Sequence, residues 1–101
     1  MLDQKKLAED VGFHGNDFAS LIDTFSKVFF GSETFYSKCD DLIARFKYAL
    51  SGEDIVIILS SYIQLKRNPS EAQRQMLASV TSSDIGSSIM MHRLQYLKAL
   101  L

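Results

Sequence analysis

The sequence predicts an all-α fold, a compact bundle of five to six short helices. Apolar residues recur with amphipathic-helix spacing along most of the chain, and the intervening segments carry the capping residues and glycines that begin and end helices. Only one short run resembles a strand. The length of 101 residues, with 47% hydrophobic and 23% charged residues, indicates a single helical domain over residues 1–101.

The first half of the chain contains three predicted helices. A short helix over residues 3–11 ends at Gly12, which suits a helix terminator. A second helix begins at Asn16 and is ended by Gly31, with apolar residues at i, i+3, i+4 and i+7. Ser32 is the predicted N-cap of a third helix that runs to about Leu50.

The fourth element is open to two interpretations. Ser51 and Asp54 have the spacing of a capping box, with Asp in place of the usual Glu or Gln. Residues 55–59 are five consecutive apolar residues, four of them β-branched, which also fits a buried strand. The apolar pattern continues to Leu65, however, and a lone strand leaves its backbone donors without partners. We therefore predict a helix at the centre of the core, with a strand as the alternative.

Two further helices complete the bundle. Asn68 is a predicted N-cap, Pro69 suits the first helical position because its missing N–H costs nothing there, and Glu71 is expected to close the box. Residues 81–84 form a predicted break, and a last helix runs from about Ile85 to the end of the chain.

The residues that commonly carry catalysis or bind metals form no recognisable motif. The candidates His14, Cys39 and His92 do not have metal-ligand spacing, and the single cysteine excludes an internal disulfide. Cys39 lies on the apolar stripe of the third helix, where Asp40 and Asp41 are expected to raise the pKa of its thiol. We predict no catalytic residue, no metal site, no cofactor and no enzymatic activity.

Charge is distributed unevenly along the chain. Residues 1–54 carry six basic and ten acidic residues, a net charge of −4, whereas residues 55–101 carry five and two, a net charge of +3. The two halves either attract each other within the fold or present a bipolar surface to a partner. The lone cysteine suggests a reducing compartment, and the apolar run over residues 55–65 is too short to span a bilayer. We expect a cytoplasmic protein with no membrane association.

The last helix is the most informative feature for function. Its apolar residues cover a wider arc than one buried stripe requires. One interpretation is that the helix packs between two others in the core; the other is that part of the arc covers a partner, which methionine pairs suit because they repack easily. The predicted partner interface consists of Met90, Met91, Leu94, Tyr96, Leu97, Leu100 and Leu101.

These observations favour a non-enzymatic protein–protein interaction module, a small adaptor, chaperone-like or regulatory protein. Its partner would be another protein, a second copy in a homodimer, or both. An inhibitor or immunity-type protein that blocks its partner fits equally well. A small helical DNA-binding transcriptional regulator is the less favoured alternative, because its basic face would comprise only dispersed cations: Lys66, Arg67, Arg74, Arg93 and Lys98.

Overall fold

The computed structural model describes residues 14–28 and 30–101. These residues form five α-helices and no strand, so the all-α prediction is confirmed. The helices are α1 (Gly15–Lys27), α2 (Glu33–Arg45), α3 (Gly52–Gln64), α4 (Glu71–Ala78) and α5 (Ser88–Leu100). Single turns of 3-10 helix follow α2 at Lys47–Ala49 and α4 at Ser82–Asp84. The helix predicted over residues 3–11 lies outside the described residues.

Helix α3 is the centre of the core. It packs against α1, α4 and α5, and Val56, Ile58, Leu59 and Tyr62 are all buried. Residues 55–59 are therefore helical, and the strand alternative is excluded. The predicted capping box is also present at the start of α3, where the Asp54 amide donates to the Ser51 hydroxyl and the Ser51 amide donates to the Asp54 carboxylate, at 3.1 and 3.0 Å.

The first two helices begin close to the predicted positions. α1 begins at Gly15, one residue early, and a Cβ at this glycine would lie 2.6 Å from the Ala49 carbonyl oxygen. The backbones therefore approach more closely there than a side chain allows. α2 is capped by Ser32 as predicted, but it ends at Arg45 and the chain continues to Leu50 through the 3-10 turn.

The last two helices begin later than predicted. The N-cap of α4 is Ser70, and the side chain that closes its capping box is Gln73, so the assignments of Asn68 and Glu71 to these roles were wrong. Pro69 lies before the N-cap, so its assignment to the first helical position was wrong as well. α5 is capped by Ser87 and starts at Ser88. Ile85 lies before it in an extended conformation and is buried, because the chain turns this side chain into the core before the helix begins.

Candidate interaction surface

Helix α5 has apolar side chains on two faces, and the fold covers one of them. Leu94 and Leu97 belong to the core, where they are 3% and 1% exposed. On the other face Ile89, Tyr96 and Leu100 are 70%, 65% and 50% exposed. These three residues, together with Arg93, follow i, i+4, i+7 and i+11 spacing and therefore share one side of the helix. We call these four residues the α5 outer face.

The structure divides the predicted partner interface into three groups. Leu94 and Leu97 are interior residues of this chain, so their assignment to a contact surface is corrected; their helical spacing matched an apolar stripe, but α3 covers it. Met90 and Met91 are half-buried and pack against the core. Tyr96, Leu100 and Leu101 are exposed. The prediction did not include Ile89, the most exposed large apolar residue of the helix.

The residues of the predicted basic face do not form one surface. Arg67 turns toward α2, where its guanidinium pairs with Glu33 and Asp40, so it is removed from that face. Lys98 donates to the Val80 carbonyl oxygen at 2.6 Å. Arg74 lines the same open groove as Lys98, at the contact of α4 with the end of α5.

Of the remaining two cations, Lys66 follows α3 in a left-handed backbone conformation, and Arg93 belongs to the α5 outer face. Arg93 and Lys98, with His92, are the basic side chains of residues 85–101, a segment that contains no aspartate or glutamate. The α5 outer face therefore combines apolar side chains with positive charge.

Arg67 is the centre of a polar network that joins three helices. Its guanidinium bonds both carboxylate oxygens of Glu33 at 2.6 and 2.7 Å and the Asp40 carboxylate at 2.5 Å. Asp40 also accepts hydrogen bonds from the Tyr62 hydroxyl at 2.7 Å and the Gln73 amide at 2.8 Å. Contacts from α2, α3 and α4 thus meet at one carboxylate, and the saturated hydrogen bonding indicates a structural role.

Electrostatics around Asp40 favour its ionised form. Burial raises the pKa of this carboxyl, but hydrogen bonds from Arg67, Gln73 and Tyr62 outweigh that effect and hold the pKa below its usual value. The pKa of Tyr62 is raised by burial and by its hydrogen bond to the Asp40 carboxylate. Tyr62 therefore remains a donor to a charged acceptor at neutral pH.

Cys39 lies beside this network and is buried. Burial is the main cause that raises the pKa of its thiol, and the adjacent Asp40 raises it further, to about 11. The rise in pKa expected from Asp40 is confirmed, but burial is the larger cause and Asp41 is not among the causes. The thiol is protonated at neutral pH and has the character of a small core residue.

A second exposed apolar surface lies on α1 and the turn that follows it. Val28 and Phe30 are 67% and 60% exposed, and Leu21 is partly exposed on the same helix. The backbone amide of Phe30 donates to the Phe25 carbonyl at 2.8 Å, and the Phe30 carbonyl accepts from the Tyr36 hydroxyl at 2.6 Å. The rings of Phe25 and Phe30 also meet edge to face, with centroids 5.0 Å apart. Phe30 is therefore held in place although its ring faces solvent.

None of the helices in the described part of the chain has the length and apolar character needed to cross a membrane. In residues 14–28 and 30–101, no three histidine, cysteine or acidic side chains cluster as metal ligands. Comparison of this chain with protein-family models, curated proteins and solved structures found no match.

Proposed function

We propose that this protein is a non-enzymatic interaction module that binds another protein chain through the α5 outer face. The observation that carries the proposal is the exposure of Ile89, Tyr96 and Leu100 on one side of a helix whose opposite side is fixed in the core. Apolar and aromatic side chains that remain exposed together on a rigid element are typical of contact surfaces.

The core holds α5 in a fixed position, which favours tighter binding of a partner to its outer face. Leu94 and Leu97 anchor the helix on α3, and the Ser87 hydroxyl caps its start by accepting from the Met90 amide at 3.1 Å. The outer face thus lies on a helix that is already folded, so the helix does not have to become ordered when a partner binds. Preorganisation of this kind lowers the entropic cost of association.

Arg93 defines the chemistry of a suitable partner. It lies within the apolar side of α5 in a segment without acidic residues. A partner surface that places a carboxylate among apolar side chains would satisfy both features, whereas a basic surface would be repelled. An adaptor, a regulator and an inhibitor would all act through such a contact, and we place its site of action in the cytoplasm because the one cysteine is a free, buried thiol.

The test is affinity capture with a matched pair of variants. The full chain, Tyr96→Glu and Tyr48→Glu are tagged and used to capture proteins from a lysate of the source organism. Tyr48 lies in the 3-10 turn after α2 and is 62% exposed, so it controls for adding a charge at an exposed tyrosine. We expect a stoichiometric protein to be retained by the wild type and Tyr48→Glu and lost with Tyr96→Glu.

Two results would contradict the proposal. If Tyr96→Glu and the wild type retain the same proteins in the same amounts, the α5 outer face is not the binding surface. If Tyr48→Glu alone loses the partner, binding belongs to the surface near the turn after α2. Circular dichroism of each variant verifies that the helices are intact before the capture is interpreted.

A further inference from the structure

The exposed surface of α1 has the same spacing as that of α5 and the opposite charge. Asp17, Leu21, Thr24 and Val28 follow i, i+4, i+7 and i+11 along α1 and its C-cap residue Val28, and all four are exposed. Phe30 continues their apolar character into the turn. We call these five residues the α1 outer face. The four residues at i, i+4, i+7 and i+11 span roughly 16 Å along each helix, so the two faces are matched in length.

Charge complements this match. Helix α1 contains Asp17, Asp23 and Lys27, and the ammonium of Lys27 pairs with the Asp23 carboxylate at 3.1 Å. The remaining carboxylate, that of Asp17, gives α1 a net charge of −1. The α5 outer face contains Arg93 and belongs to a segment with cations and no acidic residue. Juxtaposed, the two faces would bring apolar side chains together with opposite charges.

The two faces do not cover each other within one chain. α1 and α5 both pack on α3, and Val28, Phe30, Ile89 and Tyr96 are all more than half exposed in the same molecule. A contact between the α1 outer face and the α5 outer face therefore requires two copies. Since the two surfaces differ, such a contact is heterologous, and the pair of copies keeps one free α1 outer face and one free α5 outer face.

We propose that this protein assembles head to tail, with the α5 outer face of one copy seated on the α1 outer face of the next. This inference rests on the proposed function and names the partner as a second copy of this chain. Two helical strips of this length bury less area than a standard protein–protein interface, so the assembly is reversible and grows with concentration. The polarity of the contact allows rings or open filaments to form.

The experiment uses one block on each face. Val28→Lys places a cation on the α1 outer face, where Arg93 of the next copy would repel it, and Tyr96→Glu places a carboxylate on the α5 outer face, where Asp17 would repel it. The wild type, each variant and an equimolar mixture are measured by sedimentation velocity over a dilution series. Leu21→Lys is a second block on α1, Tyr48→Glu is the exposed control, and thermal melts followed by circular dichroism establish that each variant is folded.

We expect the wild type and Tyr48→Glu to reach masses above the dimer as concentration rises. Each blocked variant alone should associate about tenfold or more weakly, as for the loss of an interface hot spot. The mixture of Val28→Lys and Tyr96→Glu should form a dimer and nothing larger, because only one intact contact can be made between the two variants.

Other outcomes overturn the inference and separate it from the proposed function. A wild type that stays monomeric, or a mixture that forms no dimer, excludes head-to-tail assembly. A dimer abolished by Tyr96→Glu and unaffected by Val28→Lys and Leu21→Lys would be a symmetric contact between two α5 helices. Head-to-tail assembly would then be wrong, while the α5 outer face would still be a binding surface. Assembly that survives Tyr96→Glu would exclude that face as the site of self-association, and affinity capture alone would then decide the proposed function.

Discussion

Helices α3 and α5 are the same length, 13 residues, and both carry apolar side chains on more than one face. They differ in what surrounds them. α3 packs against α1, α4 and α5 and also contacts α2 through Tyr62, and all its apolar side chains are buried or half-buried. α5 packs mainly on α3 and leaves three large apolar residues in solvent. A wide apolar arc therefore does not by itself identify a core helix. The number of neighbouring helices decides whether the arc is interior or surface.

The same contrast holds for two arginines. Arg67, just after α3, makes ion pairs with two carboxylates and lies near the rings of Tyr36 and Tyr62, with its guanidinium carbon 5.9 and 5.5 Å from the ring centroids. Arg93 lies on α5 in a segment with no acidic residue. One cation has a structural role in the monomer, and the other remains available to a partner.

The largest effect on stability is expected from Leu97→Asp, with Leu100→Asp, three residues further along α5, as its matched control. Leu97→Asp puts a carboxylate into the core, and we expect it to lower the free energy of unfolding by about 4 kcal/mol or more. Leu100→Asp makes the same chemical change on the outer face, in the last turn of the helix, and should lower the free energy of unfolding by only about 1 kcal/mol. Urea unfolding followed by circular dichroism measures both. Equal stabilities of the two variants would show that the assignment of the two faces is incorrect.

The second largest effect is expected from Arg67→Ala. It leaves the Asp40 carboxylate, which is partly buried, without its cation, and should lower the free energy of unfolding by about 2–3 kcal/mol. Arg93→Ala is the matched control, with an expected change below about 0.5 kcal/mol. The measurement is again urea unfolding. If Arg93→Ala were as destabilising as Arg67→Ala, the distinction between the two arginines would fail.

Local signals in the sequence predicted most of the helices, but they did not predict the polar network around Asp40. The capping residues Ser32 and Ser51 were identified because each acts on an amide three residues away. The competing choice of Asn68 for the N-cap of α4 failed because Ser70 offers the same chemistry two residues later, with Gln73 in position to complete the box.

Contacts between distant residues had no comparable signal. Asp40 is 22 residues from Tyr62, 27 from Arg67 and 33 from Gln73, so no spacing rule relates them. Arg67 was consequently assigned to a basic face. For α5, helical periodicity found both apolar faces, but which of them α3 covers depends on the packing of the bundle, and Leu94 and Leu97 were placed in the interface for that reason.

A smaller effect is expected where α1 meets the end of the 3-10 turn. A Cβ at Gly15 would lie 2.6 Å from the Ala49 carbonyl and 2.8 Å from the Asp54 carboxylate. Gly15→Ala should therefore destabilise the fold by about 1–3 kcal/mol, despite the better helix propensity of alanine. At Gly86 the nearest atom to a Cβ is 3.4 Å away, so Gly86→Ala should have little effect. Thermal melts of the two variants compare these sites, and an unchanged melting temperature for Gly15→Ala would exclude the close approach.

The smallest expected effect is the pH dependence contributed by Asp40. Its pKa in the folded protein lies below the ordinary value of 3.8, so the folded state favours the ionised carboxylate over the protonated form. The stability that Asp40 contributes is fully present above pH 3.8 and is lost as the pH falls through the folded-state pKa. Asp40→Asn lacks this contribution. The difference in unfolding free energy between wild type and Asp40→Asn should be largest near neutral pH and shrink in acid, as measured by urea unfolding at a series of pH values.

Asp41→Asn, an exposed substitution that removes the same charge from α2, controls for the change in net charge. A difference that stayed constant into acid would mean that the bonds from Arg67, Gln73 and Tyr62 do not favour the ionised carboxylate.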